Sequence, residues 1–244
     1  MPLLEICCYN LTSCLIAQEN GADRIEFCDN PAEGGTTPSY GSMISAKEKL
    51  RIPFFPIIRP RGGDFLYDDD EYMIMIKDVK ACKNIGCEGV VIGMLKSDGS
   101  IDKIKCGKLV QVAYPMSVTF HRAFDRAANP FEALEDIINI GCERILTSGA
   151  KPEAMEGADL IGQLVRQADE RIIVMPGSGV RSANIETLVR QTGASEYHSS
   201  AKTTVGSSMH FVNDSMNETL SHLACDGIEI QKIKKVLESL EGEN

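Results

Sequence analysis

The sequence predicts an α/β fold, a TIM (β/α)8 barrel, on three observations. Eight short apolar runs recur along the 244 residues, helix-like stretches separate most of them, and each run ends in polar residues or glycine. The apolar runs cover residues 3–8, 24–28, 54–58, 89–92, 117–120, 144–146, 171–175 and 196–198. Eight alternating β and α units are what a barrel of this size contains. We therefore expect one barrel domain over residues 1–244, with its active face at the strand C-termini.

The intervening helices are predicted from amphipathic periodicity and from start and stop residues. They cover residues 11–20, 42–50, 69–85, 101–113, 130–140, 152–168, 183–191 and 228–240. Pro130 suits a first helical turn, and Gly86, Gly141 and Gly193 follow helices where a stop is expected. Three strand-to-helix connections are long, at residues 29–41, 60–68 and about 199–226, and long connections are often functional.

Composition narrows the classes of partner. The net charge of −10 argues against a nucleic-acid surface, which needs a basic footprint. No apolar run approaches the length of a membrane span, so no membrane partner is expected. The nine cysteines are odd in number and scattered, and the chain enters its first strand without a secretory signal. This pattern favours reduced thiols and a cytoplasmic protein.

Strands one and two carry the same polar motif, Glu-x-Cys. Glu5 and Cys7 share one face of their strand, and Glu26 and Cys28 share one face of the next. Because the residues between them are apolar and suit the helix layer, we expect all four side chains inside the barrel. A buried glutamate is costly unless it is paired or protonated.

Cationic residues at the ends of strands three and five offer partners for these glutamates. The expected partners are Arg59, Arg61, His121 and Arg122. Two readings stay open: an ion-pair network that only fills the barrel, or a functional site in which the arginines also bind an anionic ligand.

Cys7 and Cys28 lie at matching levels of neighbouring strands. Two facing thiolates are ligands for a soft ion such as Cu(I). The alternative is that both are small buried hydrophobes, as most intracellular cysteines are. The sequence has no Cys-x-x-Cys pair or ligand cluster typical of zinc, and no organic cofactor is predicted.

Two further strand ends are candidates for binding or catalysis. His121, on the same face as Thr119 at the end of strand five, is a candidate acid or base, or a structural histidine. Gly177, Ser178 and Gly179 after strand seven, with Ser200 after strand eight, resemble the phosphate loop of barrel enzymes, although a tight packing turn would look similar.

Taken together, these motifs resemble the CutC family, which is named for copper homeostasis. The matching segments are residues 5–7, 21–28, 33–39, 58–65, 118–125, 146–149 and 174–177. The resemblance implies a cytoplasmic TIM barrel, often a homo-oligomer, with a link to copper. In copper-binding members the cysteines proposed to hold Cu(I) fall at Cys7 and Cys28. One departure is Ser178, because the family more often has three glycines in this loop.

Two hypotheses follow for function. In the first, the protein binds Cu(I) through Cys7 and Cys28 in copper homeostasis. In the second, it is an enzyme that uses Glu5, Glu26 and His121 for proton transfer on a small phosphorylated or carboxylated molecule. The arginines and the strand-seven loop would then bind the anionic group of that substrate.

Overall fold

The computed structural model describes residues 2–241, and alternating strands and helices form a (β/α)8 barrel. The barrel strands are β1 (Leu3–Cys8), β2 (Arg24–Phe27), β3 (Phe54–Pro56), β4 (Gly89–Ile92), β5 (Ser117–Phe120), β6 (Arg144–Thr147), β7 (Ile173–Pro176) and β8 (Glu196–Ser199). The helices are α1 (Leu11–Glu19), α2 (Tyr40–Lys49), α3 (Asp69–Ile85), α4 (Lys103–Ala113), α5 (Pro130–Ile140), α6 (Ala158–Ala168), α7 (Ile185–Thr192) and α8 (Gly227–Glu241). The predicted fold class is confirmed.

The strands pair in parallel in chain order. Hydrogen bonds link β3, β2, β1 and β8 in one ladder and β4, β5, β6 and β7 in another. A bridge between Ile57 and Val91 joins the two ladders at β3 and β4. The register places Glu5 level with Arg24 on one side and His198 on the other, and Cys7 level with Glu26. Five polar side chains therefore enter the barrel at neighbouring levels.

Local signals set most helix ends. Asp68 and Glu71 form a capping box at the start of α3, and Asn129 accepts backbone hydrogen bonds at the start of α5. Gly86 and Gly141 end these two helices with positive φ, as predicted. The prediction that a helix begins at residue 152 is wrong, because residues 152–157 form turns and α6 begins at Ala158.

Two apolar regions lie on opposite faces of the strands. The larger fills the layer between strands and helices and includes Ile6, Cys8 and Phe27. The smaller lies inside the barrel and consists of Cys7, Cys28, Phe55, Ile57 and Val91. The predicted alternation along β1 and β2 is therefore confirmed, with the Glu-x-Cys side chains pointing inward.

The long connection after β8 contains a hairpin. Strands β9 (Lys202–Val205) and β10 (His222–Cys225) pair in antiparallel fashion, and most residues between them are exposed. Its return strand is tied to the barrel, because Asn10 donates a hydrogen bond to Leu223 O at 3.0 Å. Within residues 2–241, the structure contains no helix with the length and apolarity of a membrane span.

Candidate functional site

A cavity of about 760 Å³ opens at the C-terminal ends of the barrel strands. It is lined by residues that directly follow strands β1, β3, β5, β7 and β8, namely Tyr9, Arg59, His121, Ser178, Gly179 and Ser200. Cys7, Glu26 and His198 form another part of its wall. The cavity is thus at the face where a barrel carries its active site.

Two sulfur atoms lie together at this cavity. Cys7 Sγ and Cys28 Sγ are 3.7 Å apart, and both residues are buried. Gly35 in the following loop packs over Cys28, since a Cβ there would lie 3.2 Å from the Cys28 sulfur. The prediction that the two cysteines lie at matching levels is wrong, because Cys7 is level with Glu26, but their sulfurs are close enough to contact one ion.

His198 on β8 completes the group around Cys7. Its Nδ1 is 2.8 Å from Glu5 Oε1 and its Nε2 is 3.7 Å from Glu26 Oε2. One ligand atom each from Cys7, Glu26 and His198 lies within 4.8 Å of the other two, the one such set of three among the described residues. The structure therefore adds a histidine that the sequence analysis did not single out.

The ionisation of this group is shared between neighbours. The hydrogen bond with Cys28 lowers the pKa of Cys7 well below its usual value, burial opposes this, and His198 lowers it further. Burial alone would lower the pKa of His198, but hydrogen bonds to Cys7 and Glu5 and the nearby carboxyl groups raise it well above its usual value. These shifts favour a thiolate on Cys7 and an imidazolium on His198.

Three neighbours of Cys7 have pKa values shifted toward their protonated forms. Burial, and then the charge of Cys7, raise the pKa of Glu26 well above its usual value. Burial and the hydrogen bond to Cys7 likewise raise the pKa of Cys28. Tyr9 also hydrogen-bonds to Cys7, whose charge raises the tyrosine pKa. Of these four groups, Cys7 is the one whose pKa is lowered.

Glu5 belongs to a structural ion-pair network. It pairs with Arg24, whose guanidinium also contacts Glu196, and Arg144 Nε is 2.7 Å from the same Glu196. Burial raises the pKa of Glu5, but the Arg24 charge and His198 outweigh it and lower the pKa to about 2. Glu5 is fully buried and already paired, so the structure favours a positioning role over the predicted catalytic one.

The predicted partners of the interior glutamates need correction. Arg24, Arg144 and His198 fill that role, not Arg59, Arg61, His121 or Arg122. Arg24 precedes Glu26 by two residues, and His198 follows Glu196 by two. Residues two apart on a strand share a face, so strand alternation could have located both partners. The prediction overlooked them because it looked for cations only after the strand ends.

Three of the four predicted partners, Arg59, His121 and Arg122, line the cavity. Arg59 donates to the carbonyl oxygens of Glu33, Gly35 and Gly63, and so holds the neighbouring loops. Arg122 lines the cavity but pairs with Asp125 at 2.8 Å.

Arg61 is not a cavity residue. It is partly exposed, pairs with Asp64 at 3.0 Å and also contacts Glu71. Arg61 thus organises the loop after β3, and its role in anion binding stays a prediction.

His121 lines the cavity in one fixed orientation. Its Nδ1 accepts a hydrogen bond from Ala123 N at 3.1 Å, so Nε2 carries the proton, and that buried atom has no hydrogen-bond partner among residues 2–241. Burial and the charge of Arg59 lower the histidine pKa to about 3. The ring packs against Gly93, where a Cβ would lie 2.3 Å from it. His121 is therefore a neutral donor.

The loop after β7 has the shape of the predicted anion site only in part. Ser178 and Gly179 line the cavity, whereas Gly177 packs against Leu146 and His198. Ser178 Oγ donates to Pro152 O at 2.8 Å and is therefore already paired. Arg181 and Lys202 supply positive charge on the same side of the cavity.

Comparison with known proteins identifies the family. The model of the CutC family matches residues 2–203. A protein of Chromobacterium violaceum named family protein CutC is 51% identical over 209 residues, covering 86% of this chain and 85% of that protein. The human copper homeostasis protein cutC homolog is 44% identical over 236 residues, covering 96% and 86% of the two chains.

A solved structure agrees with this assignment. The structure described as a copper homeostasis protein CutC from Streptococcus agalactiae superimposes with a TM-score of 0.79 at 33% identity. The match covers 82% of this chain and 99% of the other. The chain therefore belongs to the CutC family of copper homeostasis proteins.

Proposed function

We propose that this protein binds one Cu(I) ion between Cys7 and Cys28, as part of copper homeostasis in the cytoplasm. The observation that carries the proposal is the 3.7 Å separation of the two sulfurs at the wall of an open cavity. Thiolates are the ligands that select Cu(I), and no chain movement is needed to bring these two together. The human relative is named for copper homeostasis, which supports the same function.

The separation of the sulfurs favours a bent arrangement with a third ligand. With a metal–thiolate bond of about 2.3 Å, as for zinc, two sulfurs in line with the ion would be about 4.6 Å apart. The observed 3.7 Å is shorter, so an ion bonded to both lies to one side of the line between them. His198 and Glu26 lie beside Cys7, and His198 is the softer ligand of the two.

An anaerobic Cu(I) titration against a strong competing chelator tests this proposal. We expect one ion per chain in the reduced parent protein and none in Cys7→Ser/Cys28→Ser. Cys8→Ser/Cys225→Ser is the matched control, because it removes a second sulfur pair with the same separation. Binding that survives in Cys7→Ser/Cys28→Ser, or is lost only in the control, would contradict the proposal. Sedimentation of the same samples tests whether the chain forms a homo-oligomer, as the family resemblance suggests.

A second candidate function is enzymatic, and the unpaired Nε2–H of His121 favours it. A buried donor without a partner is costly, and a substrate oxygen in the cavity would satisfy it. Glu26, protonated and in the same cavity, would serve as the acid. Arg181, Lys202 and the Ser178–Gly179 loop would bind a phosphate or carboxylate group of a small substrate.

Thermal unfolding with inorganic phosphate as the probe tests this second candidate. We expect phosphate to raise the melting temperature of the parent protein and to have little effect on Arg181→Glu. Lys232→Glu, an exposed change of the same charge on α8, should respond like the parent. An equal response in all three proteins would mean that phosphate does not bind in the cavity.

A further inference from the structure

The two sulfurs that we assign to Cu(I) also have the contacts of a reactive dithiol. Cys7 lies at the cavity wall, where a small solute reaches it, and Cys28 lies behind it at 3.7 Å. His198 and Tyr9 both hydrogen-bond to Cys7, and Glu26 lies within the same group. A sulfur with a second sulfur in contact and proton donors around it is a typical site of reversible oxidation.

A disulfide between these residues needs only a short movement. The sulfurs must approach from 3.7 Å to about 2.05 Å, the length of a disulfide bond. Cys28 is the first residue after β2, and its side chain lies between Cys7 and the loop at Gly35. The Cys28 backbone is held by a 2.9 Å hydrogen bond from its N–H to Cys8 O, so the approach depends on the two side chains.

We propose that Cys7 and Cys28 form a redox-active pair that a small hydroperoxide converts to a disulfide, and that this conversion prevents Cu(I) binding. The consequence for copper rests on the proposed function, whereas the oxidation itself does not. A disulfide removes both thiolates, so the oxidised protein lacks the two soft ligands.

The reaction balances with the hydroperoxide as the oxidant. Cys7 sulfur attacks the nearer peroxide oxygen, a sulfur–oxygen bond forms, and the oxygen–oxygen bond breaks. The leaving oxygen takes a proton from a neighbouring donor, either Glu26 or His198, and departs as water or an alcohol. Cys28 sulfur then attacks the sulfenic sulfur, the disulfide forms, and the hydroxyl leaves as water with the Cys28 proton.

A second cysteine pair serves as an internal comparison for the proposed oxidation. Cys8 Sγ and Cys225 Sγ are also 3.7 Å apart, but neither residue lines the cavity and both lie in the apolar layer under the helices. No acid or imidazole is among the hydrogen-bond partners of these two residues in the described chain. We expect oxidation at the inner pair only.

Peptide mapping after peroxide treatment tests the proposal. Reduced, metal-free protein is treated with hydrogen peroxide, its remaining thiols are alkylated, and the peptides are identified by mass spectrometry. We expect a Cys7–Cys28 disulfide that dithiothreitol reverses. In Cys28→Ser the reaction should stop at a sulfenic acid on Cys7 that dimedone traps, and in Cys225→Ser the disulfide should form as in the parent.

Three results would overturn the inference: a Cys8–Cys225 disulfide in place of the inner one, an unreactive inner pair, or direct overoxidation of Cys7 in the parent. Circular dichroism of each variant shows whether it is folded. The Cu(I) titration of reduced and oxidised parent protein separates the two proposals. If reduced protein binds no Cu(I), the proposed function fails while the disulfide result stands. If oxidised protein binds as tightly as reduced protein, the switch fails.

Discussion

Two cysteine pairs with the same sulfur separation lie on opposite faces of β1, and they differ in everything else. Cys7 and Cys8 are consecutive residues, so one points into the barrel and the other toward the helices. The inner pair, Cys7–Cys28, is beside a histidine and a carboxyl group at an open cavity. The outer pair, Cys8–Cys225, lies among apolar side chains.

The comparison shows that the surroundings, and not the distance, decide the chemistry of a sulfur pair. Neighbouring donors lower the pKa of Cys7, while burial raises the pKa of Cys8 well above its usual value. The inner pair therefore contains a thiol with a lowered pKa, and the outer pair is a packing contact.

The largest expected effects are opposite for the two pairs. Cys7→Ser/Cys28→Ser should weaken Cu(I) binding by at least about a thousandfold, or about 4 kcal/mol. Cys8→Ser/Cys225→Ser should leave the affinity unchanged but lower the free energy of unfolding, by about 1–3 kcal/mol for each hydroxyl buried without a partner. Chelator competition and urea unfolding measure the two quantities. A similar loss of Cu(I) affinity in both variants would contradict the difference between the two cysteine pairs.

The ion-pair network beneath the inner pair should also be essential to the fold. Glu5→Gln leaves Arg24 and His198 without their shared carboxylate, and we expect a loss of about 3–5 kcal/mol in the free energy of unfolding. Glu135→Gln is the control, because it breaks an exposed pair with Arg171 and should change stability far less. Equal effects would mean that the network contributes little.

The same carboxylate predicts how stability depends on pH. The pKa of Glu5 falls from its ordinary 4.5 to about 2 on folding, so unfolded chains bind the proton first. Its contribution is therefore complete above pH 4.5 and is lost as the pH falls from about 4.5 to about 2. Urea unfolding across this range should show a steeper loss for the parent than for Glu5→Gln.

Thiol reactivity gives a smaller but direct test of the difference between the pairs. Because the pKa of Cys7 is lowered, its alkylation by iodoacetamide should persist as the pH is lowered through the usual range for a cysteine. His198→Asn should shift that profile to higher pH, since a cation beside Cys7 is lost. Labelling of Cys8 at neutral pH in the folded parent would contradict the contrast.

The smallest expected signal is the proton balance of copper binding. Because the pKa of Cys7 is lowered and that of Cys28 is raised, one Cu(I) ion should release fewer than two protons near neutral pH. Calorimetry in two buffers of different ionisation enthalpy gives this number. Release of about two protons would mean that Cys7 is an ordinary thiol.

Most of the fold could be predicted from the sequence, because its signals are local. Strand alternation placed Cys7 inside and Cys8 outside, and glycines ended α3, α5 and α7 as expected. The start of α6 was missed because residues 152–157 turn to meet the β7 loop, where Ala154 N donates to Ser178 O. That contact joins two segments that are distant in sequence, and no local sequence pattern predicts it.

The candidate site could be predicted only in part. The inward cysteines and glutamates followed from strand periodicity, but the partner of Glu5 depends on the register between β1 and β8, which joins the two ends of the chain. The neutral state of His121 depends on burial and on Arg59, a tertiary contact. The residue types that line the site could thus be predicted from the sequence. Their ionisation and their partners depend on contacts that form only in the assembled barrel.

Gly93 packs tightly against His121, so the size of residue 93 limits where the imidazole can lie. A methyl group at residue 93 would overlap the imidazole, so Gly93→Ala would displace the ring without altering its chemistry. A variant at this position would therefore separate the effect of the position of the imidazole from the effect of its chemistry. Any function of the cavity that requires the imidazole in its observed position would be impaired by one added methyl group at residue 93, directly after β4.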